Sequence, residues 1–232
     1  MARFAALVVV LAAAAAAAGL ALAAQSPKQL RTAIFAAAGK QHSVHYVEHG
    51  AAQNLRQTMV SDVAKTRGIQ SISFTLGGKN GQFTVIVVKR VAYLRADTYA
   101  LDSYLGFTAA QAAQYHGRWI SVPSASKKYT ALAASVTLPS FLHDIYPSAP
   151  LALVTTAVGG QRLTGVRGTN VEPGGVHFVE TVFPDSKDRP LAVADIDARQ
   201  GFIDALKISR WNEAVHVAAP SNAVPIATVL AD

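Results

Sequence analysis

Between Ile69 and Lys89 the sequence spells out a β-hairpin. Ile72, Phe74 and Leu76 fall on one side and Ser71, Ser73 and Thr75 on the other, the period of two that marks a half-buried strand. Gly77-Gly78-Lys79-Asn80-Gly81 provides the turn,. The returning strand, Gln82 to Lys89, is apolar on both faces: Phe83, Val85 and Val87 on one, Ile86 and Val88 on the other. A strand of that kind is covered on both sides. The hairpin therefore sits inside a sheet that carries a second layer.

The flanking segments say what that layer is. Ser26-Pro27-Lys28-Gln29 opens a helix, with Ser26 as cap, Pro27 in the first turn and Gln29 completing a capping box,. Leu30, Ala33, Ile34 and Ala37 follow at helical spacing, and Gly39 ends it,. His42 to His49 reads as a strand, Gly50 to Gly68 as a strand with bulges and a turn, and Val91 to Arg95 continues the meander. The middle holds short helices: one capped by Thr98, one opened by the box Thr108-Ala109-Ala110-Gln111, one capped by Ser126, and one from Thr137-Leu138-Pro139 with a stripe of Leu138, Phe141, Leu142 and Ile145,. Arg118 to Val122 lies among them as a strand. From Ala152 strands return at Ala152–Ala157, Gln161–Gly168, Val176–Phe183, Leu191–Asp197 and Phe202–Trp211. Gly, Pro, Asn and Asp turns separate them, as in an antiparallel meander. The expected class is α+β, with helices gathered on one face of an antiparallel sheet. Residues 25–232 read as one domain, with an irregular tail from about Ala218.

Residues 1–24 read as an address. Only Arg3 precedes the apolar run Phe4–Ala24, and Ala21-Leu22-Ala23 matches a small-residue cleavage site,. The alternative is an uncleaved N-terminal anchor, since the run is close to the ~20 residues that span a bilayer. There is no Cys, which excludes disulfides, thiolate chemistry and cysteine-held metal. The 232 residues carry a formal charge of +7, unevenly placed. Gln25 to Ser135 holds 13 Lys and Arg against 4 Asp and Glu; Val136 to Asp232 holds 7 against 10. The basic half suits an anionic head group or an anionic membrane surface, the plainer reading being solvated surface. No basic run interleaved with aromatics points to nucleic acid.

Chemistry is sparse. His42, His45 and His49 could suggest a metal, but His42 and His45 face opposite sides of a strand. His45 and His49 lie about four rises of ~3.3 Å apart, too far for one ion. Asp195 and Asp197 share a strand face and could act as acid and base; exposed strand positions explain them better. No G-x-S-x-G and no Walker loop is present, and no cofactor is implied. What remains is apolar content. Phe83, Val85, Val87, Tyr93, Leu105, Phe107, Trp119, Leu138, Phe141 and Leu142 either pack as core or line an apolar groove that the short helices close.

Several stretches resemble actinobacterial envelope lipoproteins of the LppX/LprG type, within the LolA-like superfamily. They are Ser43-Val44-His45 after the first helix, the glycine hairpin, and Ala92-Tyr93-Leu94-Arg95-Ala96. Tyr115-His116-Gly117-Arg118-Trp119-Ile120-Ser121-Val122-Pro123 is similar to that family's strand entering its helical part, and Ile208 to Pro220 to its closing strand and tail. The resemblance implies a strongly curved, incomplete antiparallel barrel whose concave face is covered by short helices. It also implies a space between sheet and helices that takes acyl chains of a lipid or an acylated lipoprotein, without catalysis. Each buried methylene would contribute about 0.8 kcal/mol. The chain lacks the family's acylated cysteine at the end of the signal peptide. The expected function is an exported, monomeric, non-enzymatic binding protein of the periplasm or cell envelope. The alternatives are a sensor or protein-interaction module on the same fold, and a hydrolase with an unrecognised site. Edman sequencing of the exported protein should start just after Ala23; a terminus at Met1 would instead identify an anchor.

Overall fold

A computed structural model describes residues 25–158, 160–171, 177–197 and 202–231. The leader at 1–24 lies outside them. Twelve strands form one sheet: β1 Ser43–Ala51, β2 Leu55–Ala64, β3 Arg67–Leu76, β4 Lys79–Val88, β5 Val91–Ala96, β6 Ile120–Pro123, β7 Ser148–Val158, β8 Gln161–Val171, β9 His177–Pro184, β10 Pro190–Asp197, β11 Phe202–Ser209 and β12 Val224–Pro225. The helices are α1 Pro27–Gly39, α2 Ala109–Tyr115, α3 Tyr129–Ala133, α4 Leu138–Asp144 and α5 Ile226–Ala231, with a π-helical turn at Ala100–Tyr104. The strand order is β12-β6-β5-β4-β3-β2-β1-β11-β10-β9-β8-β7. All the pairings are antiparallel except β12 with β6. β12 and β7 are left as edges, so the sheet does not close into a barrel. The expected α+β class holds.

Local chemistry sets the elements. Ser26 and Gln29 form the capping box of α1, Thr108 and Gln111 that of α2, and Thr137 with Ser140 closes the first turn of α4,. Thr98 is not a cap: Asp97 Oδ1 accepts from Ala100 N at 2.7 Å and takes that role,. The buried stripe of α1 is Leu30, Ile34 and Ala38, one residue off the expected face at its far end. The tail has no helix or strand from Arg210 to Ala223, and ends in the short β12 and α5. Val224 N donates to the Trp119 carbonyl at 2.8 Å, and α5 buries Ile226 and Val229 against the strands.

Register puts the apolar residues on one inner face. Val44 and Tyr46 of β1, Ile72 of β3, Phe83, Val85 and Val87 of β4, Leu94 of β5, and Leu206 and Ile208 of β11 are all buried there. Two apolar clusters result. The first joins β3–β6 to the π-helical turn, α2 and α5. The second joins β1 and β8–β11 to α1 and α4. The segment Ala133–Ile145 lies across both: Ala133 and Val136 belong to the first cluster, Leu138, Phe141 and Ile145 to the second. It acts as a plug. Its backbone rests directly on the sheet at Gly68, where any Cβ would overlap the Val136 carbonyl oxygen.

The two central hairpins contrast. Gly77 and Gly78 turn β3 into β4 with φ of 57° and 80°, the left-handed pair a two-residue hairpin needs. Lys89 and Arg90 make the same kind of turn between β4 and β5 at φ 51° and 63°, where a side chain costs energy. Arg90→Gly should therefore stabilise the protein by about 1 kcal/mol, read as a higher urea midpoint at unchanged m; an unchanged or lower midpoint counts against this reading of the turn.

Candidate functional site

The ten apolar candidates separate. Phe83, Val85, Val87 and Phe107 are buried in the first cluster, with Leu105 packed against it. Leu138 and Phe141 are buried in the second, with Leu142 beside them. Tyr93 does not join either. It alternates with Ala92 and Leu94, so it faces outward, along a groove of about 390 Å³ that also takes Pro225 and Ile226. Trp119 stays half-buried beneath the Arg95 guanidinium, 4.8 Å from its ring centroid.

The clusters are held apart by the plug, and the plug is held by Tyr46. Its ring stacks on Phe141 with centroids 4.3 Å apart. Its hydroxyl donates to the Ser135 carbonyl at 2.8 Å and accepts from Gln70 Nε2 at 3.0 Å. Burial pushes the phenol's pKa well up, so it remains a donor at any working pH. Between plug and sheet the open space is about 120 Å³, short of the ~300 Å³ at which ligand pockets begin. Two larger depressions of about 420 Å³ each lie mainly along outward-pointing polar residues of β2–β5, including Thr58, Ser73 and Gln82. Among the described residues, the side chains of Tyr46, Leu138 and Phe141 fill most of the space beneath the plug.

The 120 Å³ space is not apolar. Glu48, Asp144, Glu180, Asp195 and Asp204 all line it, together with Tyr46, Phe141 and Phe178. Asp204, Asp195 and Glu180 stand directly opposite one another across β11, β10 and β9. Asp195 is thus an inward residue, which corrects the expectation of a solvent-facing carboxylate pair; the side chain of Asp197 lies outside the described residues. Burial raises the pKa of Glu48, and the neighbouring Asp204 charge raises it further. Burial raises Asp204 and Asp144 as well, against the pull of hydrogen bonds from Glu48 and Ser135. The alternation of the sequence carried this signal. Asp204 shares a face with Leu206 and Ile208, Glu180 with Val182, and Glu48 with Tyr46 and Val44,.

The histidines are tied individually. His45 Nδ1 lies 2.8 Å from Asp62 Oδ1, and His49 Nδ1 lies 3.1 Å from Thr58 Oγ1. Among the described residues no three His, Asp or Glu stand close enough to hold one metal ion. Nor is any helix among them long and apolar enough to cross a membrane.

No protein-family model matches the chain, and no curated protein matches it. Solved structures do. The fold is similar to LprF from Mycobacterium bovis, at TM-score 0.51 and 15% identity over 84% of this chain and 96% of that one. It is similar also to the Mycobacterium tuberculosis lipoprotein LppX, at TM-score 0.50 and 16% identity over 83% of this chain and 100% of that one. The chain therefore has the fold of LppX/LprG-type envelope lipoproteins, and the resemblance read from its sequence holds at that level.

The raised carboxyls fix a pH dependence. A group whose pKa is higher folded than unfolded binds its proton more readily in the native state, so stability falls as pH rises through that interval. For Glu48, Asp144 and Asp204 the interval begins at the ordinary carboxylate range and extends upward. The unfolding free energy, read from urea denaturation at constant m, should rise as pH is lowered from 8 towards 5, by up to about 1.4 kcal/mol per pH unit per proton. Glu48→Gln should flatten that profile and stabilise the protein at pH 8. Parallel profiles for the two proteins would contradict the assignment.

Proposed function

We propose that this chain is an exported, non-enzymatic protein that holds acyl chains of a lipid or an acylated lipoprotein within the envelope. Residues 1–24 would serve as signal peptide and 25–232 as one carrier domain. The observation that supports it most is the plug. A segment built from helices of five and seven residues covers the seam between two apolar clusters. Such short elements have little helical stability of their own, so the plug stays down only through the contacts it buries at Val136, Leu138, Phe141 and Ile145 and through Tyr46. Lifting the plug would join the clusters into one apolar groove, walled by Phe83, Val85, Val87, Leu105 and Phe107 on one side. Leu138, Phe141 and Leu142 would leave with the lid and line its inner surface. Ser135, between the helices, has φ 56° and is the natural pivot. The basic half would meet an anionic head group or membrane surface. Tyr93 and Trp119, on the outer face and beside it, fall outside this groove.

The filled interior favours one competing reading, a sensor or interaction module whose plug never leaves. Uptake of cis-parinaric acid by the purified chain separates the two. The carrier reading expects saturable binding, faster in Gly68→Ala, where the new Cβ wedges against the plug at Val136. Leu142→Arg should weaken it severalfold while the circular dichroism spectrum is kept. Absence of uptake in both wild type and Gly68→Ala would leave the module.

A further inference from the structure

We propose that the acidic cavity beneath the plug binds an organic cation, an alkylammonium group, whether free or carried as a lipid head group. This goes beyond the acyl-chain reading and does not depend on it.

The cavity joins two chemistries. Its carboxylates come from four strands and from α4, while Tyr46, Phe141 and Leu206 give it apolar and aromatic wall. Among the described residues that line it there is no Lys, Arg or His. The salt bridges among the described residues do not reach Glu48, Asp144 or Asp204. An independent observation comes from Asp204. It is 8% exposed and lines the cavity; its carboxyl shares a hydrogen bond with Glu48, but its Oδ1 meets no donor. Asn170 cannot supply one from the same atoms: its Nδ2 is committed to the Asp144 carbonyl and to Glu180 Oε2 at 2.8 Å. A buried carboxylate oxygen left without a donor is unfavourable, and a positively charged N–H donor would satisfy it.

Size and shape decide which cation. No three of the described carboxylates meet at metal-ligating distance, so a point-like divalent ion is the poorer fit. The volume of about 120 Å³ corresponds to a few water molecules at ~30 Å³ each. An ammonium with a short alkyl stem fills it. The charged end would lie towards Glu48 and Asp204, and the stem would lie against the aromatic faces, where a cation is also favoured.

The groups that face Asp204 are few. Tyr46 and Glu48 come from β1, Asp144 from α4 with His143 beside it, Glu180 from β9 and Asp195 from β10; His49 lies near Asp204 and favours its charged form. Burial holds Glu48 and Asp204 towards their protonated forms. Cation uptake should therefore expel protons, which titration calorimetry reads as a heat that changes with the ionisation enthalpy of the buffer.

The test is calorimetric titration of the full chain at pH 8 with n-butylammonium chloride, with n-butanol as uncharged control. The expected result is saturable amine binding with proton release, no butanol binding, and about tenfold weaker binding in Glu48→Gln/Asp204→Asn. Dihexanoyl-phosphatidylethanolamine then identifies the source. Binding at least tenfold tighter than butylammonium, lost in the same variant, assigns the site to a lipid head group, and equal or weaker binding assigns it to free amines. No saturable amine binding overturns the proposal. So does equal binding of butanol, an unchanged affinity in the variant, or calcium chloride competing at lower concentration than the amine. Should the variant not fold, the wild-type preference for butylammonium over butanol still decides.

Discussion

The Tyr46 ring lies flat against Phe141, and its hydroxyl reaches the Ser135 carbonyl. One side chain of β1 thus fixes the plug both by face contact and by direction. Much else follows from that contact. An inner sheet face twelve strands wide must be shielded from water, yet the helices over its middle are only five and seven residues long. Helices of that length are not stable by themselves. They persist because Leu138, Phe141 and Ile145 bury against α1 and the strands, and because Tyr46 ties the seam. The cover is consequently both necessary and weakly self-supporting, the combination a removable lid requires.

The same side chain marks where apolar packing gives way to charge. Like charges placed directly opposite on neighbouring strands are unfavourable, and Asp204, Asp195 and Glu180 stand in that arrangement on the buried face. Replacing buried ionisable groups by apolar residues of similar volume is often neutral or stabilising. A fold needing only a core would be better served by Leu or Val at these sites, as at Leu206, Val193 and Val182 one pairing along. Glu48, Asp144 and Asp204, whose pKa values burial raises, therefore cost stability at neutral pH,, while Glu180 also accepts from Asn170 and Asp144 from Ser135.

Most of the architecture could be read from the sequence because its signals are local. The boxes at Ser26 and Thr108 each need only four residues, and the Gly77-Gly78 turn needs two. The errors arise where the deciding partner is far along the chain. Asp97 outcompeted Thr98 because its other oxygen accepts from Gln82 N at 2.7 Å, fifteen positions away. The last residues of the chain likewise take their order from a distance, since β6 offers an edge for Val224 and Gln111 donates to the Val229 carbonyl at 2.9 Å. Tyr93 alternates with the buried Ala92 and Leu94, which already sets it on the face opposite to the other candidates. The acidic site is the sharpest case. Each of the four strand carboxylates sits in phase with an apolar face within its own strand, but their gathering with Asp144 in one cavity depends on the pairing of β1 with β11 and on α4 folding over.

That convergence links the plug to the cavity. Asp144 ends α4, accepts from Ser135 at the pivot, and lines the acidic space. Lifting the plug would withdraw one carboxylate from the cluster, relieving repulsion there when the groups are ionised and gaining little when they are protonated or neutralised by a cation. The charge state of the cavity and the position of the plug are then thermodynamically coupled, and such coupling is reciprocal. On the two proposals together, a cation seated among the carboxylates would hold the plug down, and an acyl chain that raised the plug would weaken the hold on the cation by the same factor. A carrier with this wiring would release one guest as it accepts the other, with Asp144 as the residue common to both events.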